Sequence, residues 1–137
     1  MGVTIKNKII LFYLFLITFH VAHILEETWG RFWMIDEIYG LSLFLFINWI
    51  LFCIPLFFFY LFILERKIAY YFSIAYAMFM ILNGMGHNIA TIATGKYFGG
   101  YAGGFSGLGL VIFGIPLSFL LLKNSPKRNR QTDVRIG

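Results

Sequence analysis

Cysteine is almost missing from this chain: Cys53 stands alone, so an intrachain disulfide and a redox pair are both excluded. A lone thiol in the middle of a hydrophobic run reads as a small buried apolar side chain. Charge is scarce as well. Asp, Glu, Lys and Arg make up 12% of the 137 residues, about half the share in an average soluble domain, and the shortfall is gathered into long uncharged runs. With 60% hydrophobic and 20% aromatic residues, such a chain cannot hide its apolar surface from water. Several chemical signatures are absent too. There is no phosphate-binding G-x-x-x-x-G-K-[ST] or strand-anchored G-x-G-x-x-G, no H-E-x-x-H, and no pair of E-x-x-H elements of the carboxylate di-iron bundles. Three histidines are too few for the histidine boxes of membrane desaturases and hydroxylases. No inverted repeat points to a transporter.

What is present is length and grease. A helix rising about 1.5 Å per residue needs roughly 20 residues to cross about 30 Å of hydrocarbon, and four runs qualify, at about 8–27, 38–64, 68–94 and 104–122. The expected fold is all-α: one antiparallel, up-down-up-down four-helix transmembrane bundle over 1–122. Pro55 and Pro116 should bend the second and fourth helices. Lys6 and Lys8 precede the first run as in a signal peptide, but no small-x-small cleavage site follows, so the run is expected to be a retained span.

Basic residues set the expected orientation, because Lys and Arg near helix ends stay on the cytoplasmic side. Lys6, Lys8, Arg66, Lys67, Lys123, Lys127, Arg128, Arg130 and Arg135 flank one end of the bundle, against Arg31 and Lys96 at the other. Both termini are therefore expected in the cytoplasm, with a bacterial cytoplasmic membrane as the expected setting. The net charge of +5 is then topological bias rather than a nucleic-acid footprint. The basic tail 123–137 is expected to be disordered and to touch anionic headgroups.

Inside a bilayer the informative residues are the polar ones, since a central charge costs about 2.5–3.5 kcal/mol even on the lenient insertion scale. At 100° per residue His20, His23 and Glu27 share an arc of about 60° on the first helix, with Glu26 another 60° round. On the third helix Asn83, His87, Thr91 and Thr94 share about 80°. His20 and His87 fall at similar depths, about 10 Å from the end of their helices, so stripes that face each other would form one pocket between the first and third helices, open toward the outer face. Gly84 and Gly86 flank the second stripe and suit close helix packing. Glu37 and Asn48 lie nearly on one face of the second helix. Asp36 and Glu37 equally suit its first turn, where carboxylates favour the helix dipole. Trp29, Trp33 and Tyr39 read as interfacial aromatic rings.

The run His23-Ile-Leu-Glu26-Glu27 reads H-x-x-E-E and resembles the family of integral membrane proteins named for that motif. Asn83-Gly-Met-Gly-His87, followed by Tyr97-Phe-Gly-Gly100, resembles that family's downstream N-x-x-x-H and its Tyr/Gly turn, although Gly99 stands where a proline is commoner. The resemblance spans about His20 to Gly107. It implies which residues matter and carries no settled biochemical function.

Imidazoles and carboxylates at this spacing can converge on a divalent cation, Zn²⁺ or a first-row transition metal, with His20, His23, Glu27 and His87 as ligands. Asn83, Thr91, Glu37 and Tyr97 are the candidates for substrate contact or outer support. The same groups could work without metal as an acid/base couple, Glu26 or Glu27 as base and His23 and His87 as proton carriers. Four-helix sterol isomerases of the emopamil-binding kind are analogous in size and helix count alone. Either reading implies an enzyme acting on a lipid or other apolar substrate, in a monomer or an oligomer. The alternative is a non-catalytic membrane protein that binds a ligand or partner helix, its polar groups satisfying one another. Seven glycines between Gly95 and Gly109 point to a loop or helix end packed closely over the pocket.

Overall fold

A computed structural model describes residues 4–30, 33–96 and 103–124, with the side chains of 33–39 left aside. Four helices make up the fold: α1 Ile5–Trp29, α2 Trp33–Ile63, α3 Lys67–Thr94 and α4 Gly104–Asn124. Each carries a stretch long and apolar enough to cross a membrane, and apolar side chains such as Leu82, Ile92, Phe105 and Phe119 point outward. The chain is thus an integral membrane protein, because only lipid accepts such a surface without penalty. The basic tail beyond Asn124 lies outside the described residues.

Local chemistry marks the helix ends. Thr4 caps α1 by accepting from the Asn7 amide at 3.3 Å, satisfying one of the donors a helix N-terminus leaves over. Between α2 and α3 the chain turns on Glu65, whose φ is +58°. The Arg66 amide reaches back to the Leu61 carbonyl at 3.0 Å, the bond that closes a helix C-terminus when the next residue is left-handed. Lys6 at the start of α1 pairs with Glu65, and that ammonium holds the Glu65 carboxyl below its ordinary value.

Helix α2 departs from expectation. Its non-helical residue is Gly40, at φ +77° and ψ +158°, a conformation that glycine adopts without strain. The break therefore falls near the beginning of α2 and not at Pro55. Tyr13 on α1 donates its hydroxyl to the Pro55 carbonyl at 3.3 Å. Cys53, expected to be buried, is exposed on α2, where the surrounding lipid tolerates a small apolar thiol as readily as a core would.

Round the bundle the packed neighbours are α1 with α2, α2 with α3, α3 with α4, and α4 with α1. Helices α1 and α3 therefore face each other across the diagonal. The two sides differ in closeness. Glycines draw α4 inward: a methyl group on Gly84 of α3 would lie 2.3 Å from the Gly107 carbonyl oxygen of α4, and one on Gly109 would strike the Phe19 ring of α1. Helix α2 has no such contacts and is the least buried span. The core fills the middle with Tyr13, Leu16, Ala77, Met80, Leu110 and Leu117.

Gly84 and Gly86 differ in this respect, for a methyl on Gly86 would meet nothing within 4 Å. Gly84→Ala should therefore destabilise the bundle by about 1–3 kcal/mol through overpacking, read as a lower midpoint in detergent unfolding. Gly86→Ala should be neutral or slightly stabilising, by up to about 1 kcal/mol from helix propensity.

Candidate functional site

The two polar stripes meet on the diagonal. Glu27 Oε1 lies 3.1 Å from His87 Nε2 and 3.5 Å from His23 Nε2, so one carboxylate oxygen stands between histidines from two helices. The imidazole rings sit edge-on with centroids 4.6 Å apart. His23 and Glu27 are buried and His87 nearly so. In hydrocarbon the groups have no water to turn to, which makes this mutual arrangement the cheap one.

His23 is held at both ring nitrogens. Nδ1 lies 3.0 Å from Ser106 Oγ, and that hydroxyl is 3.3 Å from the Gly103 carbonyl. Nε2 lies 3.0 Å from the Asn83 side-chain nitrogen and faces Glu27, so serine and asparagine hold the ring from its two ends.

Gly103 closes the site from the α4 side. Its φ is +113°, and a methyl there would come within 2.7 Å of His23 Cε1 and 2.8 Å of His87 Nδ1. The glycine-rich segment does pack over the pocket, through this residue, while Gly99 and Gly100 lie outside the described residues.

The remaining candidates go elsewhere. Glu26 turns to α4, its two carboxylate oxygens accepting from the amides of Phe105 at 3.3 Å and Ser106 at 2.8 Å. It supplies the negative charge and acceptors that a helix N-terminus favours. His20 lies one turn below His23 and bonds through Nδ1 to the Tyr76 hydroxyl at 3.0 Å, apart from the His23–Glu27–His87 group. Thr91 follows His87 by one turn on α3 and is half-buried. The Glu37 side chain and Tyr97 lie outside the described residues. Ser106 and Tyr76 were missed from sequence. A serine within the first turn of a glycine-rich helix was a usable signal for Ser106, whereas nothing marks Tyr76 among eight tyrosines.

Below the cluster lies a cavity of about 490 Å³ lined by α1, α2 and α3. His20, His23, Glu27, Asn83 and His87 form its polar part, and Asn48 joins from α2 with its amide donating to the Phe44 carbonyl at 2.9 Å. The pocket expected between α1 and α3 therefore has α2 as its third wall. Close packing of α4 and loose packing of α2 account for that placement.

Three of these groups could hold a metal ion. Among the described residues His23, Glu27 and His87 each offer a ligand atom, all within 4.8 Å of one another. Around a tetrahedral ion with bonds of about 2.0–2.1 Å, neighbouring ligand atoms stand roughly 3.3–3.4 Å apart, and two imidazoles plus one carboxylate leave a fourth position open. The two separations from Glu27, 3.1 and 3.5 Å, bracket that spacing, and the two histidine ligand atoms lie within 4.8 Å of each other.

Comparison with family models, curated proteins and solved structures gives no match to this chain. Fold and site together define the class: a four-span integral membrane protein with a buried His/Glu/Asn cluster at the head of an apolar cavity.

Gly103→Ala should cost about 1–3 kcal/mol through its left-handed backbone and push apart the two imidazoles. In histidine-resolved NMR of the detergent-solubilised protein, the His23 and His87 ring resonances should move while those of His20 stay in place.

Proposed function

We propose that this chain is an intramembrane enzyme acting on an apolar substrate, with His23, Glu27 and His87 holding a divalent metal, zinc or a first-row transition ion, at its reaction centre. The observation that carries the reading is the convergence of two imidazole Nε2 atoms and one carboxylate oxygen at the polar end of an apolar cavity. A metal there would supply a Lewis acid and an activated water. The chain's own groups do the rest. Ser106 keeps the His23 ring oriented with Nε2 inward, as the outer partners of metal-bound histidines do. Asn83 stands within reach of the same nitrogen and can donate to a polar group on the substrate once a metal takes Nε2. The apolar wall excludes bulk water, which strengthens every electrostatic contact inside. The resemblance to the H-x-x-E-E family supports the choice of residues, and the excess of basic residues at the other end supports a site in the outer half of the membrane with both termini in the cytoplasm.

A second reading is favoured by the completeness of the hydrogen bonding: His23 has partners on both nitrogens and Glu27 pairs with His87. On that reading the cluster holds the bundle together and binds a ligand without catalysis.

Metal analysis of protein purified without chelators separates the two. The enzyme reading predicts about one zinc or transition ion per chain, and a thermal midpoint that rises when Zn²⁺ is added, since ligand at a hundred times its Kd stabilises by about 2.7 kcal/mol. His87→Ala should abolish both effects. A metal-free protein whose midpoint ignores Zn²⁺, but collapses in His87→Ala by the roughly 3–5 kcal/mol expected of a broken buried pair, would favour the structural reading.

A further inference from the structure

The cavity below the cluster holds a second polar pair that the proposed reaction centre does not use. His20 and Tyr76 both line it, yet both are more than nine-tenths buried, at 4% and 6% exposure. His20 Nδ1 lies 3.0 Å from the Tyr76 hydroxyl. Aromatic rings close round them: Phe52 of α2 stands edge-on to the imidazole with centroids 6.2 Å apart, and the Tyr13 ring lies 5.8 Å from that of Tyr76.

The other ring nitrogen of His20, Nε2, has no protein partner among the described residues. It is not sealed in either. Among those residues the side-chain nitrogen and oxygen atoms that are both fully enclosed and unpartnered are Ser73 Oγ and Ser118 Oγ. Nε2 therefore reaches open space, and the open space that His20 lines is the cavity.

The pair carries one polar hydrogen more than it can use. A neutral imidazole and a phenol bring one each, and the bond between them takes one, whichever ring donates. The other remains as an N–H or O–H donor. In apolar surroundings such a donor keeps its desolvation penalty until an acceptor meets it. A carbonyl oxygen suits the place best, because it accepts without bringing a further hydrogen that needs its own partner. Position along α1 says where on a ligand that oxygen belongs. His20 precedes His23 by three residues and Glu27 by seven, which puts it about 4.5 Å and about 10.5 Å further along the helix axis.

We propose that His20 and Tyr76 form a carbonyl-binding subsite, and that the ligand of the cavity is a lipid with an ester, keto or amide carbonyl a few bonds from its polar head. The subsite stands on the pair and the cavity and needs no metal. The place of the head, at His23, Glu27 and His87, rests on the proposed reaction centre.

The test uses the full chain in dodecyl maltoside micelles, which contain no carbonyl, and two probes, 2-hydroxyethyl hexadecanoate and 2-hexadecyloxyethanol. They differ only in the ester carbonyl. In ¹⁵N histidine NMR the His20 ring nitrogens should move as the ester binds and stay nearly in place with the ether. The ester should bind about fivefold more tightly, the worth of one hydrogen bond. His20→Phe should bring the two affinities together. Where that variant fails to fold, the His20 shift in the unsubstituted chain decides alone. Equal affinities, failure of both probes to bind, or a His20 ring that stays put while the ester binds overturns the proposal and leaves the spare donor to water. So does an ester preference that survives in folded His20→Phe. Metal content of the same samples keeps the two readings apart: an ester preference in metal-free protein keeps the subsite and removes the metal, whereas bound metal without that preference removes the subsite and leaves the reaction centre standing.

Discussion

A carboxylate placed among hydrocarbon must find partners within the protein, and the arrangement of this bundle follows from how Glu27 finds them. One oxygen of Glu27 faces His87 from α3 and His23 from its own helix. Leaving such a charge unpaired would cost several kcal/mol. The pairing therefore turns the polar stripes of α1 and α3 toward each other across the diagonal, although these two helices are not packed neighbours round the bundle. Everything that lies between them must then be either close-packed or open.

Both solutions are used, one on each side. Gly103, just before α4, and Gly107 and Gly109 within it meet α1 and α3 closely, and Glu26 anchors the first turn of α4 through two backbone amides. Helix α2 is the least buried span and packs less closely beside the cluster, which leaves the cavity. The sequence pair Glu26-Glu27 thus performs two tasks from adjacent positions: one carboxylate organises the site and the other fixes the helix that covers it. Their separation by about 100° on a helix is what permits this.

Most of this was legible from residue types and periodicity, for physical reasons. Span length and the absence of charge locate four helices within a few residues, because hydrocarbon thickness sets a narrow range for both. The His23, Glu27, Asn83 and His87 cluster was legible because polar side chains on a lipid-facing surface would be prohibitive, so a shared arc had to face inward. Less could be read where the partner is backbone or where every residue looks alike. The role of Glu26 depends on amides of Phe105 and Ser106, which have no side-chain signature. On α2 only Asn48 signalled the cavity wall, because its other lining residues sit in a helix segment that is apolar all round. The break at Gly40 in place of Pro55 reflects a left-handed dihedral that glycine adopts freely, while Pro55 is accommodated within helical geometry.

The claim on which this account turns is that His23 and His87, sixty-four positions apart in the chain, share one carboxylate in the interior of a membrane protein. Solid-state NMR of the bilayer-reconstituted chain, with ¹⁵N-labelled imidazoles, measures this directly through dipolar contact between the two rings. The predicted spectrum shows a His23–His87 cross-peak, together with contact from both rings to the Glu27 side-chain carboxyl. Two histidines that instead correlate separately with lipid acyl protons, and not with each other, would contradict it.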